Sequence, residues 1–181
     1  MRTSDEQYIK LLISEGFIRN QDQVVRKTQG ARHASHDGDK LHEAAERIFA
    51  EQKECSAVVL STAPGVSAYS KTGKKLPAVL DDLAQLAGPA LDCLRDLDEV
   101  RGKKAAKPAV MVEGLGCLCA AQNLYEAHAL AMVTEKAALA YIGAAVLGRV
   151  RVISWIEAWL MRLIYLKKYS RQGMINSARK K

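Results

Sequence analysis

The chain has 181 residues, and its 27 lysine and arginine residues exceed its 20 aspartate and glutamate residues, so the formal charge is +7. This length suits one domain, and a composition that is 49% hydrophobic and 26% charged excludes a disordered chain. Four cysteines without a dense spacing pattern exclude a disulfide scaffold, and no stretch reaches the roughly 18 uninterrupted apolar residues of a membrane span. The N-terminal segment has no apolar signal core, so we expect a cytoplasmic protein.

The first half of the chain alternates helical and extended patterns. Ser4 is a good N-cap, and Gly16 is a good helix stop. The pattern of apolar residues predicts, in chain order, a helix between Ser4 and Gly16, a polar loop over 19–39, a helix over 40–52, a buried strand over 56–61 that Pro64 and Gly65 end, and a short helix over 66–70.

The second half repeats the alternation. The same criteria predict a helix over 76–86, a basic loop over 101–108, a strand over 109–112 that continues extended over 117–120, a long helix from Leu124 to about Leu147 capped by Asn123, and a last helix over about 150–169. Helices that alternate with strands predict a layered α/β domain. We expect it to span residues 1–173, with 174–181 as a basic, flexible tail.

The excess positive charge lies at the C-terminal end. Residues 149–181 contain nine basic residues and one acid, Glu157, whereas the first 148 residues are nearly neutral. Such a segment favours an anionic partner, or it is a solvated helix face followed by a frayed tail. It lacks interleaved aromatic residues and any nucleic-acid-binding motif, so nucleic acid is the weakest of the possible partners.

The last predicted helix has an unusually wide apolar surface. Trp155 and Trp159 lie one turn apart on one face, and apolar residues cover about half the circumference. We therefore predict that the helix packs partly on its own domain and partly against a second subunit, which makes a homo-oligomer. Its basic residues would then lie at the rim or meet an acidic surface of the neighbour, and the candidates for that surface are Asp92, Asp96, Asp98 and Glu99.

Two segments resemble the class II aldolase/adducin family of metal-dependent sugar-phosphate aldolases and epimerases. Ala57 to Pro89 is similar to the family's strand with a His-x-His pair and the helix that follows it. Pro108 to Tyr141 is similar to the strand that ends in a His-Gly turn, its hairpin continuation and a long helix. The resemblance implies a three-layer αβα sandwich, shortened at its N-terminus, and a cyclic homo-oligomer.

The metal ligands of the family do not appear in this chain. On this register the two strand histidines correspond to Leu60 and Thr62, with Ser61 between them, and the turn histidine corresponds to Leu115, before Gly116. A zinc site needs about three ligands from His, Cys, Asp or Glu. The catalytic carboxylate corresponds to Gly38, and the glycine-rich phosphate loop is missing. We expect neither a catalytic site nor a bound metal at these positions.

A replacement metal site is one alternative. His33, His36 and Asp37 lie close together in the predicted loop before the second helix, and this spacing can chelate a metal if the loop folds over. The other interpretation is a solvated polar loop. We predict that His42 packs or caps its helix, that His128 is a surface or interface residue, and that Cys117 and Cys119 are small buried hydrophobes.

Two functions follow from the resemblance. The first is a non-catalytic protein of this fold that acts through assembly or partner binding and needs no cofactor, as adducin shows to be feasible. The second is a metal-dependent aldehyde-lyase or isomerase that acts on a small phosphorylated sugar or oxo-acid, with a divalent metal held by His33, His36 and Asp37.

Overall fold

A computed structural model describes residues 5–27 and 38–178, with the side chains of 38–39 and 169–178 left out. The helices are α1 (Asp5–Ser14), α2 (Gly38–Glu51), α3 (Pro64–Ser70), α4 (Asp81–Ala87), α5 (Leu124–Val146) and α6 (Trp155–Ala178). The strands are β1 (Val24–Arg26), β2 (Ala57–Ser61), β3 (Leu76–Pro77), β4 (Ala90–Leu91), β5 (Cys93–Leu94), β6 (Ala109–Val112) and β7 (Gly116–Ala121). Short 3₁₀ turns lie at 21–23, 97–99 and 102–104.

The central sheet has five strands in the order β1-β2-β7-β6-β5. β5 pairs with β6 in parallel, and the other neighbours are antiparallel. The predicted strands over 56–61 and 109–119 both lie in this sheet, so the α/β prediction is confirmed. β3 and β4 form a separate two-stranded pair.

Helices cover both faces of the sheet, because alternate side chains of each strand point to opposite sides. On one face Val59, Met111 and Cys119 pack in a core shared with α3 and α5. On the other face Val58, Val110 and Leu118 pack in a core shared with α2. This is the predicted three-layer arrangement.

A buried carboxylate joins α5 to α3. Glu135 is 8% exposed, and its two carboxylate oxygens accept hydrogen bonds from the backbone N–H groups of Gly65 and Val66, each at 2.8 Å. These donors belong to the first turn of α3, where N–H groups have no partner inside the helix. Gly65 fits here because a Cβ atom would lie 2.8 Å from the Leu139 side chain and 2.9 Å from the carboxylate.

Several element boundaries differ from the sequence prediction. The helix predicted over 76–86 begins only at Asp81, because Leu76 and Pro77 pair with β4 as a strand. β1 lies within the stretch predicted as loop. The last helix begins at Trp155 and continues to Ala178, so the predicted domain end at 173 falls inside it.

One helix of the described ranges, α5, is long and apolar enough to cross a membrane by length and composition. In this fold it packs against β2, β7 and α3. Its N-terminal two thirds are largely buried, from Leu124 to Ala138, and they contribute to the core under the sheet. The Asn123 side chain caps the helix by accepting a hydrogen bond from Glu126 N at 2.9 Å, as predicted.

Candidate functional site

A cleft of about 620 Å³ lies at the edge of the central sheet where β2, β5 and β6 end. Five segments form its walls: residues 19–23, the start of α2, the end of β2, the turn after β5 and the β6–β7 turn. Ligands of α/β proteins commonly bind outside the carboxyl ends of strands. The lining residues are Arg19, Asn20, Asp22, Gln23, Lys40, Leu41, Leu60, Thr62, Arg95, Asp96, Leu97, Val112, Glu113, Gly114 and Leu115.

A glycine brings the β6–β7 turn against the end of β2. Gly116 has a φ of +146°, and a Cβ atom at this position would lie 2.1 Å from the carbonyl oxygen of Ser61. Any other residue would have to displace backbone. This close approach brings Leu115 into the same cleft as Leu60 and Thr62, although more than fifty residues separate them in the chain.

The side chain of Gln23 connects the N-terminal segment to β2. Its Nε2 donates to the Leu60 carbonyl oxygen at 2.7 Å and to Thr62 Oγ1 at 3.2 Å, and its Oε1 accepts from Arg19 N at 2.6 Å. The Thr62 hydroxyl therefore already has a partner within the chain. Sequence reasoning missed Gln23, because it lies in a polar stretch with no recognisable motif.

Comparison with solved structures gives relatives of similar fold and low sequence identity. An L-fuculose 1-phosphate aldolase aligns over 90% of this chain and 97% of its own, with a TM-score of 0.64 and 18% identity. The L-fuculose-1-phosphate aldolase of Thermus thermophilus aligns over 81% of this chain and 95% of its own, with a TM-score of 0.59 and 13% identity. No protein-family model and no curated protein sequence matches the chain.

The chain has the class II aldolase fold. A further relative is YgbL of Klebsiella pneumoniae, described as an aldolase, epimerase or decarboxylase, with a TM-score of 0.59 and 15% identity. The alignment covers 68% of this chain and 65% of YgbL, so the chain spans slightly less than two thirds of that relative's length.

The residues of the cleft do not fit a divalent metal. Leu60 and Leu115 have no donor atom, and Leu115, 36% exposed, presents an apolar side chain to the cleft. A metal at these two positions would have no ligand from either side chain, although Asp22, Asp96 and Glu113 also line the cleft. Among the residues that the structure describes, no group of three His, Cys, Asp or Glu side chains is placed to hold a metal ion.

The histidine residues have varied positions. His33, His36 and Asp37, the alternative ligands, lie outside the described residues. His42 Nε2 lies 3.8 Å from Glu46 Oε1, one turn further along α2. The prediction that His128 is a surface or interface residue is wrong, because it is buried within its own domain at 5% exposure. Its Nε2 lies 2.9 Å from Glu15 Oε2, and its ring packs edge-on against Phe17. Glu15 and Phe17, which follow α1 and are more than a hundred residues away in the chain, cover the His128 ring.

The cysteine pair of β7 is buried under α5. Cys117 and Cys119 are fully buried, with their Sγ atoms 3.9 Å apart. The contact with the Cys119 thiol, together with burial, raises the pKa of the Cys117 thiol well above its usual range. Because both side chains are fully buried, these residues act as small core side chains, as predicted. Ser61, which pairs with Cys117 across the β2–β7 ladder, is also buried, and its Oγ has no hydrogen-bond partner among the described residues.

The acidic run at 92–99 contacts lysines of its own chain. Asp92 binds the ammonium groups of Lys75 at 2.8 Å and Lys107 at 2.5 Å. Asp98 pairs with Lys40, Glu99 pairs with Lys104, and the Asp96 carboxylate caps the 3₁₀ turn that follows it. Although burial opposes it, hydrogen bonding to Lys107 and Lys75 lowers the pKa of Asp92.

Arg162 contacts α4 of its own domain. It is half-buried, and its Nη1 donates to the carbonyl oxygens of Gln85 and Leu86 at 3.0 and 2.5 Å. These carbonyls belong to the last turn of α4, where C=O groups have no partner inside the helix. Burial lowers the pKa of the guanidinium. Arg162 therefore attaches α6 to α4.

The opposite side of α6 is an apolar surface. We define its outer face as Trp155, Ile156, Trp159, Leu160 and Ile164, which are 65%, 72%, 48%, 49% and 58% exposed. The two indole rings stack with centroids 6.4 Å apart and planes 11° from parallel. The inner side of the helix contacts the domain through fully buried Ala158 and half-buried Met161.

Proposed function

We propose that this protein has lost the metal-dependent chemistry associated with its fold and acts as a non-catalytic assembly of identical chains. The observation that carries the first part is the presence of Leu60 and Leu115 in the cleft, at the positions that correspond to metal-binding histidines. A neighbouring side chain can replace a single lost ligand, but among the described residues no group of three His, Cys, Asp or Glu side chains is placed to hold a metal ion. The fold alone does not fix the activity.

The outer face of α6 supports assembly. Soluble monomers rarely expose contiguous apolar patches of this kind, and each Å² of apolar surface left in water forgoes about 25 cal/mol. The patch extends towards the end of α5 and its connection to α6, where Val146, Leu147 and Val152 are 81%, 87% and 49% exposed. Within the described residues, the domain itself covers only the inner side of the helix.

The composition of the outer face favours a second copy of this chain as the partner that covers it. Interfaces between identical subunits are more apolar than other interfaces and are enriched in tryptophan, with charged residues at the rim. The five residues of the outer face are apolar, and exposed charged residues surround them: Glu157 beside them on α6, and Arg149, Arg151, Lys167 and Lys168 before and after them. This arrangement supports an apolar core with a basic rim.

The four cysteines support a cytoplasmic location for this assembly. Cys55, Cys93, Cys117 and Cys119 are all free thiols, and the two closest are not bonded to each other. A chain that carries no disulfide among four cysteines suits a reducing compartment.

Metal analysis tests the loss of the metal site. We expect protein purified without chelator to contain no stoichiometric divalent metal and to cleave L-fuculose 1-phosphate, the substrate named for two structural relatives, at background rate. The matched variants are His36→Ala and His42→Ala, the second outside the predicted ligand set. A stoichiometric metal that disappears in His36→Ala but not in His42→Ala would overturn the proposal, and it would support the metal-dependent lyase with ligands at His33, His36 and Asp37.

A further inference from the structure

Sulfur-containing side chains lie in a row across the central sheet. The strand pairing places Met111 of β6 between Cys93 of β5 and Cys117 of β7, and Ser61 of β2 is the next cross-strand partner of Cys117. Cross-strand partners point to the same face of a sheet, and so does Cys119, two residues after Cys117 on its strand. The row therefore points into the core shared with α3 and α5. None of these residues lines the cleft or belongs to the outer face of α6.

Two thiols of this row have the separation of two ligands of one metal ion. Cys117 Sγ and Cys119 Sγ lie 3.9 Å apart. Two metal–sulfur bonds of about 2.3 Å that enclose an angle of about 120° place their sulfur atoms roughly 4.0 Å apart. One ion can therefore contact both sulfur atoms without a large movement of either side chain, and an angle near 120° leaves a position for one further donor.

The thioether of Met111 is the candidate for that further donor. Met111 is fully buried in the same core, and it is the direct cross-strand partner of Cys117. Two thiolates and a thioether are a soft ligand set, which favours Cu(I). A zinc site needs at least three ligands from His, Cys, Asp or Glu, and no such group is placed to hold a metal among the residues that the structure describes.

A buried hydroxyl group without a partner belongs to the same row. Ser61 is fully buried, and within the described ranges its Oγ makes no hydrogen bond. An unpaired buried hydroxyl destabilises a fold, so its presence needs an explanation. The thiolate that a metal would create at Cys117, the cross-strand partner of Ser61, is a negatively charged acceptor for this hydroxyl. The hydroxyl of Thr134, which lies 4.0 Å from Cys119 Sγ, already donates to the Ala131 carbonyl oxygen at 2.9 Å, so Ser61 is the donor that remains.

We infer that Cys117, Cys119 and Met111 form a buried site for one soft monovalent metal ion, Cu(I). The Ser61 hydroxyl donates a hydrogen bond to the Cys117 thiolate when the ion is bound. Binding replaces the two S–H bonds with two copper–sulfur bonds and releases two protons to the solvent, and the copper enters and stays as Cu(I), so no electron is transferred. Cys93, which is half-buried on the edge strand β5, is the thiol through which the ion reaches the row. This site is separate from the proposed assembly and does not depend on it.

Anaerobic titration of the full chain with Cu(I), in competition with the chromophoric chelator bathocuproine disulfonate, tests the inference. We expect one Cu(I) per chain, and an X-ray absorption spectrum with sulfur as the only neighbour of the copper. Because each bound ion displaces two protons, the affinity should rise with pH, by up to about 100-fold per pH unit. The bound ion should also raise the thermal unfolding temperature, because it binds the folded chain.

Variants assign the ligands. Cys119→Ala should weaken Cu(I) binding by at least ~100-fold, and Met111→Leu and Ser61→Ala should each weaken it by ~10-fold. Cys55→Ala is the matched control, because Cys55 is also buried but lies in the core on the other face of the sheet, and it should bind as the unchanged chain does. Cys93→Ala should slow the uptake of Cu(I) and leave the affinity at equilibrium unchanged.

Three results would overturn the inference: no binding of one Cu(I) per chain, equal affinity of Cys119→Ala and Cys55→Ala, or an affinity that falls only in Cys93→Ala. The last result would assign the ion to an accessible thiol. Ser61→Ala keeps the test decisive if a cysteine variant does not fold. It removes a hydroxyl that has no partner among the described residues, so the metal-free variant should unfold at no lower temperature than the unchanged chain. Unchanged Cu(I) affinity in both Ser61→Ala and Met111→Leu would then contradict the inference.

Discussion

The cleft and the outer face of α6 differ in how many of their side chains have contacts within the domain. In the cleft, Gln23 and Asp96 hold the wall segments through hydrogen bonds, and Gly116 fixes the turn by its close approach to Ser61. On α6, five large apolar side chains are about half or more exposed. The comparison teaches that backbone geometry sets the shape of the cleft, whereas the proposed assembly requires a partner to cover the outer face of α6.

The strongest way to break the cleft is at Gly116. Gly116→Ala would place a Cβ atom 2.1 Å from the Ser61 carbonyl oxygen, so we expect the free energy of unfolding to fall by at least about 3 kcal/mol. Gly114→Ala in the same turn is the matched control: its φ is +68°, but nothing lies within 4 Å, so it should cost only about 1 kcal/mol. Urea unfolding measures both. Equal losses for the two variants would show that the close approach does not hold the turn.

The inner side of α6 gives the next effect. Arg162→Ala removes two charge-assisted hydrogen bonds and exposes the carbonyl oxygens of Gln85 and Leu86, so the free energy of unfolding should fall by about 2 kcal/mol. Arg151→Ala, exposed before the helix, should change it by less than about 0.5 kcal/mol. If the two variants unfold alike, the attachment of α6 to α4 depends on apolar contacts alone.

The smallest effect concerns the salt bridges that close the acidic run. Because hydrogen bonding to Lys107 and Lys75 lowers the pKa of Asp92 in the folded state, its carboxylate stabilises the fold at pH values above its unfolded pKa, and this contribution is lost as the pH falls through the folded pKa. Asp92→Asn should therefore destabilise the protein by about 1 kcal/mol at pH 7. The difference between the two proteins should shrink in acid. A difference that stays constant from neutral to acidic pH would contradict this assignment.

The long, strongly patterned elements were predictable from the sequence, and the cleft was not. β2, the β6–β7 hairpin and α5 follow from buried apolar runs and the Asn123 cap. β1 was not predicted because its three residues are too few to show a periodic pattern. α4 begins later than predicted because Pro77 belongs to a strand that pairs with β4. The cleft depends on residues such as Arg19 and Arg95, which are distant in the chain and lie in short turns, so only the tertiary structure brings them together.

The width of the apolar surface on α6 was predictable from the sequence, and its partner stays a prediction. The periodicity of 152–166 predicted a wide apolar face, and the exposed outer face agrees with that width. The acidic surface proposed for a neighbour also stays a prediction, and in this structure lysines of the same chain pair with Asp98, Asp92 and Glu99. Sequence position alone did not show that the basic loop over 101–108 folds back onto the acidic run.

Sedimentation equilibrium at micromolar concentration tests the central claim most directly. The assembly account predicts that the unchanged chain sediments above the 19.8 kDa of a monomer, and that Trp159→Glu and Ile156→Glu convert it to a monomer. Glu51→Gln, exposed at the end of α2, is the control and should leave the assembly intact. A monomer of 19.8 kDa for the unchanged chain, with no difference between Trp159→Glu and Glu51→Gln, would contradict the account.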